Sequence, residues 1–118
     1  HTPLDADTAH LIDAQVIEKM KPGTVLVNTA RGGVVDEAAV FDALQLGHLA
    51  SAAFDVHERE GHGVIPRLAS LPNVVLTPHI GGMALETQSR IGRRVGELID
   101  AFLEGRLDDE TTDAERVV

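Results

Sequence analysis

From Leu11 to Met20 the apolar residues Leu11, Ile12, Val16, Ile17 and Met20 return at steps of three and four, the period of a helix with one inward face. Asp13 is placed to cap that helix, and Lys21-Pro22-Gly23 to stop it. Thr24–Asn28 is β-branched and apolar without alternation, which predicts a strand covered on both faces, as parallel strands are. Arg31-Gly32-Gly33 breaks the run. Asp36 then predicts the cap of a helix reaching about Leu46, with Val40, Phe41 and Leu44 as its inner stripe and Gly47 as its left-handed terminator. The small residues from Ala50 to Val56 predict a second strand, followed by a long loop that holds Glu58-Arg59-Glu60. Val74–Leu76 predicts a third strand, ended by Thr77-Pro78. After Gly81-Gly82 the spacing predicts the longest helix, about Ala84 to Leu103, with Ile91, Val95, Leu98, Ile99 and Phe102 on one face and Gly105 past its end. Gly92 and Gly96 on that helix fit close packing of a helix on a sheet. Arg106 to Val118 is acidic and almost without apolar residues, and is expected to be a disordered tail behind a domain of residues 1–105.

Alternating helices and strands imply an α/β domain whose parallel strands are joined by right-handed crossovers. Such sheets bind ligands beyond the carboxyl ends of their strands. Here each strand ends in polar groups: Asn28-Thr29-Ala30-Arg31, then Asp55, then His79. Three strand ends deliver polar side chains to one rim.

Composition narrows the partners. The 118 residues carry a formal charge of −9, and no Lys/Arg cluster exceeds Arg93-Arg94, which speaks against a nucleic-acid or anionic-membrane surface. The absence of cysteine excludes disulfides, iron–sulfur ligation, thiolate zinc sites and a cysteine nucleophile. No apolar run reaches the roughly 18 residues of a membrane helix, so a soluble, cytoplasmic protein is expected. The chain opens on His1 rather than Met, as a processed product or a piece of something longer would.

His79, stiffened by Pro78 and followed by Gly81-Gly82, suits a general acid/base, since an imidazole titrates near neutrality and a neighbouring carboxylate would hold its tautomer. Glu58 and Glu60 are both candidates for that carboxylate. The competing reading is a histidine that only caps the last helix. Arg31 follows a strand directly, so its guanidinium should emerge at the rim and can grip a carboxylate with two parallel hydrogen bonds; a structural salt bridge is its alternative. Asp55, ending an apolar strand, needs donors, which a cofactor amide could supply. His57 and His62 suggest a metal, but they stand five apart rather than four and not on a helix, so no metal site is expected. No G-x-G-x-x-G loop appears, and Ser51, Ser70 and Ser89 lie in no nucleophile context.

Together, His1-Thr2-Pro3-Leu4 with Thr8, Met20-Lys21-Pro22-Gly23, Asn28-Thr29-Ala30-Arg31-Gly32-Gly33-Val34-Val35-Asp36-Glu37, Ala53-Phe54-Asp55-Val56, and Leu71-Pro72-Asn73-Val74 through Thr77-Pro78-His79-Ile80-Gly81-Gly82 resemble the D-isomer-specific 2-hydroxyacid dehydrogenases over about residues 1 to 105. The resemblance implies the later half of a Rossmann-like NAD(P)-binding domain, without its glycine-rich loop or its selector between NAD and NADP. It implies an oxidoreductase that interconverts D-2-hydroxy acids and 2-keto acids. Arg31 would bind the substrate carboxylate and polarise its keto group. His79 would exchange a proton with the substrate oxygen, and Glu60, five residues after Asp55, would be its partner. Asp55 would hold the nicotinamide carboxamide, with Thr29, Ala30, Arg31, His79, Gly81 and Gly82 around the cofactor and His1-Thr2-Pro3 along the dinucleotide. Where most members have Pro after the catalytic Glu, this chain has Gly61-His62-Gly63. A homodimer, or self-association covering unpaired apolar surface, is expected, as is inactivity of the chain on its own. The alternatives are a dinucleotide-sensing module like the related corepressors, whose wording Asp55-Val56-His57-Glu58 echoes, and a non-catalytic remnant. The resemblance does not select the hydroxy acid.

Overall fold

The computed structural model describes residues 1–61 and 63–106. It divides into two units, His1–Ile80 and a second that begins at Gly81. The first holds a parallel sheet of three strands in the order β1 (Thr24–Asn28), β2 (Leu49–Phe54), β3 (Val74–Leu76). Its helices are α1 (Ala14–Glu18) and α2 (Glu37–Gln45), with 3-10 turns at Gly32–Val34 and Arg67–Ser70. The α/β class and the parallel sheet are as the sequence predicts.

The first helix is shorter than its apolar period suggests. Asp13 caps it, accepting from the Val16 N–H at 2.9 Å, so Leu11 and Ile12 precede the helix instead of opening it. Ile12 runs parallel to Val35, donating to the Val34 carbonyl and accepting from the Asp36 N–H. Backbone groups that a helix would have paired internally are paired across the chain. Asp36 caps α2 as expected, with one carboxylate oxygen on the N–H groups of Ala38 and Ala39.

The core gathers Ile17, Leu26, Val40, Phe41, Leu44, Leu49, Ala52, Phe54 and Leu68. Each large side chain fully buried there contributes about 1.5–3 kcal/mol. Leu68, in the 3-10 turn, is wholly buried. Arg67 beside it lies 3.8 Å over the Phe41 ring. The expectation that β1 is covered on both faces is not met: Val25 and Val27 are 58% and 63% exposed, and in register beyond them Val75 is 64% exposed. The helices of this unit pack on the Leu26, Ala52 and Phe54 face, and among its described residues the β-branched run is covered on that side alone.

The second unit holds α3 (Leu85–Leu103). Its apolar stripe is as predicted, but Ile91, Val95, Ile99 and Phe102 are exposed and only Ala101 is buried. Gly92 and Gly96 serve no close packing among the described residues, since a Cβ built on either meets nothing within 4 Å. Gly105 ends the helix at φ +67°, and the Arg106 N–H returns to the Ala101 carbonyl. The acidic tail expected beyond Arg106 lies outside the described residues.

Candidate functional site

Parallel strands point their carboxyl ends the same way, and hydrogen bonds tie those ends together. Asn28, buried at the end of β1, accepts from the Ala30 N–H through Oδ1 and donates through Nδ2 to the Arg31 carbonyl, both at 3.1 Å. This fixes the Thr29-Ala30-Arg31 turn. The Asp55 N–H donates to the Asn28 carbonyl, extending the β1–β2 ladder one step past Phe54. Gly32 then presses against the chain after β2: a Cβ there would lie 1.9 Å from the His57 carbonyl oxygen. Only glycine allows that approach.

Asp55 is buried, and its Oδ1 accepts from the Thr77 hydroxyl and from the Ile80 N–H. The two bonds bracket Pro78 and His79. His79 itself sits at φ +55°, a left-handed conformation that costs a side-chain-bearing residue about 1–2 kcal/mol. The clasp on Asp55 holds it there.

His79 Nδ1 lies 3.0 Å from Glu60 Oε2, with both side chains a little under half exposed. A carboxylate accepts only, so His79 Nδ1 carries the proton of that bond and Nε2 is the nitrogen left to work. The other oxygen of Glu60, Oε1, accepts from the His57 N–H at 3.0 Å. The His79 bond first, and the His57 N–H second, hold the Glu60 carboxyl below the usual glutamate range. The pair borders a cavity of about 480 Å³, whose apolar walls include Val64, Pro66, Leu76 and Pro78. That is a volume suited to a small ligand or part of a cofactor.

Glu58, the other candidate partner, turns elsewhere. It lies 3.2 Å from His10 Nε2 and accepts from the Glu37 N–H. Arg31 is exposed at the rim, where its Nη1 donates to the Ala30 carbonyl at 2.7 Å, outside the walls of the cavity. It forms no salt bridge among the described residues. His1, Thr2 and Pro3 are exposed, with the Pro3 carbonyl accepting from the Thr8 hydroxyl, and Leu4 rests on Gly33. Gly81 and Gly82 belong to the second unit, where the Gly82 carbonyl accepts from Gln88. His62 lies outside the described residues, and among those described no three His, Cys, Asp or Glu side chains gather as metal ligands. Sequence reasoning passed over Thr77, Glu37 and the ring of His57 as parts of the site. Only the Thr immediately before Pro78-His79 gave a signal.

The model of the NAD binding domain of D-isomer specific 2-hydroxyacid dehydrogenases matches residues 1–81. The chain belongs to this family. The family's domain binds NAD, and the matched region carries Arg31, Asp55, Glu60 and His79. A D-3-phosphoglycerate dehydrogenase of Mycobacterium tuberculosis is 45% identical over 105 residues, 89% of this chain and 20% of that protein. The NAD-dependent formate dehydrogenase of Staphylococcus aureus, solved with NAD, superposes with a TM-score of 0.81 at 33% identity, over 94% of this chain and 34% of its own. A D-isomer specific 2-hydroxyacid dehydrogenase of Xanthobacter autotrophicus, solved with NADPH, gives a TM-score of 0.78 at 33% identity, over 99% and 48%. The chain thus spans between a fifth and a half of the length of these relatives.

Proposed function

We propose that this chain forms the nicotinamide end of an NAD(P)-dependent dehydrogenase that interconverts a D-2-hydroxy acid and its 2-keto acid, with Arg31, Glu60 and His79 as its catalytic residues. The observation that carries this reading is the 3.0 Å pair of Glu60 and His79 at the edge of a cavity with apolar walls. Val64, Pro66, Leu76 and Pro78 offer the apolar walls that a planar ring needs, and Thr29 and Ala30 are exposed and half-buried at the end of β1. The residues present therefore suit a nicotinamide, with Thr29, Ala30 and Asp55 to hold it and Pro3 on the dinucleotide side. When bound, the dinucleotide supplies the acceptor or donor of hydride.

The protein's own part is proton transfer and orientation. In reduction, His79 Nε2 gives a proton to the keto oxygen; in oxidation it takes one from the hydroxyl. Glu60 holds Nδ1 and stabilises the imidazolium that forms in the second case. The exposed guanidinium of Arg31 leaves the Ala30 carbonyl to take the substrate carboxylate in a bidentate grip. The chain by itself is inactive on this reading, because catalysis needs segments that the longer relatives carry.

A hybrid enzyme tests the proposal. The matching 105 residues of this chain replace their counterpart in the Mycobacterium tuberculosis dehydrogenase, and NAD-dependent oxidation of D-3-phosphoglycerate is followed. Turnover supports the proposal. A folded hybrid that binds NADH but turns over nothing contradicts it.

A further inference from the structure

His57 belongs to none of the proposed catalytic roles, yet it bonds to Glu60 and to the segment that leads into His79. Its backbone N–H holds Glu60 Oε1 at 3.0 Å, and its ring Nε2 lies 3.1 Å from the carbonyl oxygen of Thr77, two residues before His79. The ring is stacked toward Phe54, centroids 6.5 Å apart and planes 22° apart, and its side chain is only 10% exposed. Nδ1 is buried without a hydrogen-bond partner, 3.6 Å from Glu37 Oε1. A phenyl ring would fill the same space without burying an unpaired nitrogen, which costs about 1–3 kcal/mol. The imidazole therefore keeps a polar burden that core packing does not require, and what it returns is the bond to Thr77. A carbonyl only accepts, so Nε2 is the protonated nitrogen.

We propose that His57 is a positioning residue for the Glu60–His79 pair: its main chain fixes the Glu60 carboxylate, its ring fixes the strand end that carries His79, and one residue thereby sets the distance between them. Asp55 also joins the end of β2 to this segment, through Thr77 and Ile80, but those two bonds do not reach Glu60. The groups facing His57 are Glu37 from α2, Glu60 from its own loop and, through Glu60, His79. The role rests on the reading of Glu60 and His79 as the acid–base pair. It is tested without cofactor or substrate, so a failed hybrid enzyme would overturn that reading and leave the clamp standing.

The test uses the 118-residue chain, with long-range proton–nitrogen NMR of the histidine rings and a carbon-detected titration of the Glu60 carboxyl. In the wild type, His57 Nε2 is expected to carry the proton; a folded chain protonated at Nδ1 alone overturns the proposal. His57→Phe keeps the ring's volume and removes the donor. The Glu60 midpoint is then expected to rise toward that of an ordinary glutamate, and the Thr77 and His79 amides to shift. His57→Gln, which returns a donor near the position of Nε2, is expected to restore both. A folded Phe variant with the wild-type midpoint overturns the proposal, since packing alone would then suffice. Should the Phe variant fail to fold, the tautomer of the wild type and the midpoint of the Gln variant decide, and a Gln variant with an ordinary glutamate midpoint counts against the clamp.

Discussion

Glu37 and Glu58 each accept the other's backbone N–H, at 2.9 and 3.0 Å, across 21 residues of chain. The exchange fastens the first turn of α2 to the loop that bears Glu60, so the helix after the Arg31 turn and the loop after β2 form one rigid corner. A free N–H at a helix start is satisfied by a carboxylate from elsewhere in the chain, which also suits the positive end of the helix. Glu37→Ala leaves the Glu58 N–H without its acceptor and is expected to lower stability by about 1 kcal/mol. Glu37→Gln, which keeps an acceptor oxygen, should cost little. Urea denaturation of the three proteins decides, and equal midpoints for Ala and wild type would show that the exchange is idle.

Neighbouring glycines should respond differently to the same methyl group. At Gly32 an added Cβ meets the backbone of His57 at 1.9 and 2.1 Å, whereas at Gly33 it meets the side chain of Leu4 at 3.1 Å. Backbone held by a ladder and a clasp cannot yield as a leucine can. Gly32→Ala is expected to cost about 1–3 kcal/mol and to shift the Glu58 and Glu60 amides, while Gly33→Ala stays close to wild type. Thermal unfolding with amide spectra of both variants tests the contrast.

Much of this was legible in the residues. Asp13, Asp36, Gly47 and Gly105 mark helix ends by their chemistry, and the structure uses all four as such. The boundaries of β1 and β3 follow from apolar runs stopped by polar or proline residues. What the pattern could not carry was partnership across the chain. Ile12 continues a helical period but pairs with Val35, and Val25 and Val27 look buried but have no helix of their own unit above them. Likewise Glu58 and Glu60 are indistinguishable by type. Their separation arises from a loop geometry set by Gly32, His57 and Glu37, contacts that no local spacing encodes.

The Glu60 carboxyl gives the fold an acid dependence. Hydrogen bonds from His79 first and from His57 next make the folded chain bind the Glu60 proton more weakly than the unfolded chain does. The stability this contributes is present above the ordinary glutamate pKa of about 4.3 and is lost as pH falls through the lower, folded value. Solvent screens the half-exposed pair, so the effect is modest. Denaturation midpoints measured from neutral pH downward should fall less steeply for Glu60→Gln than for wild type. Identical acid slopes would mean that the pair does not form in solution.

The most direct measurement is the turnover of the hybrid enzyme with His79→Gln. General acid–base catalysis by a placed imidazole contributes about 100- to 10,000-fold, and a loss of that order in kcat with NADH binding largely retained is the expected result. Turnover retained at the wild-type rate would contradict the assignment of His79 as the group that exchanges the proton with substrate.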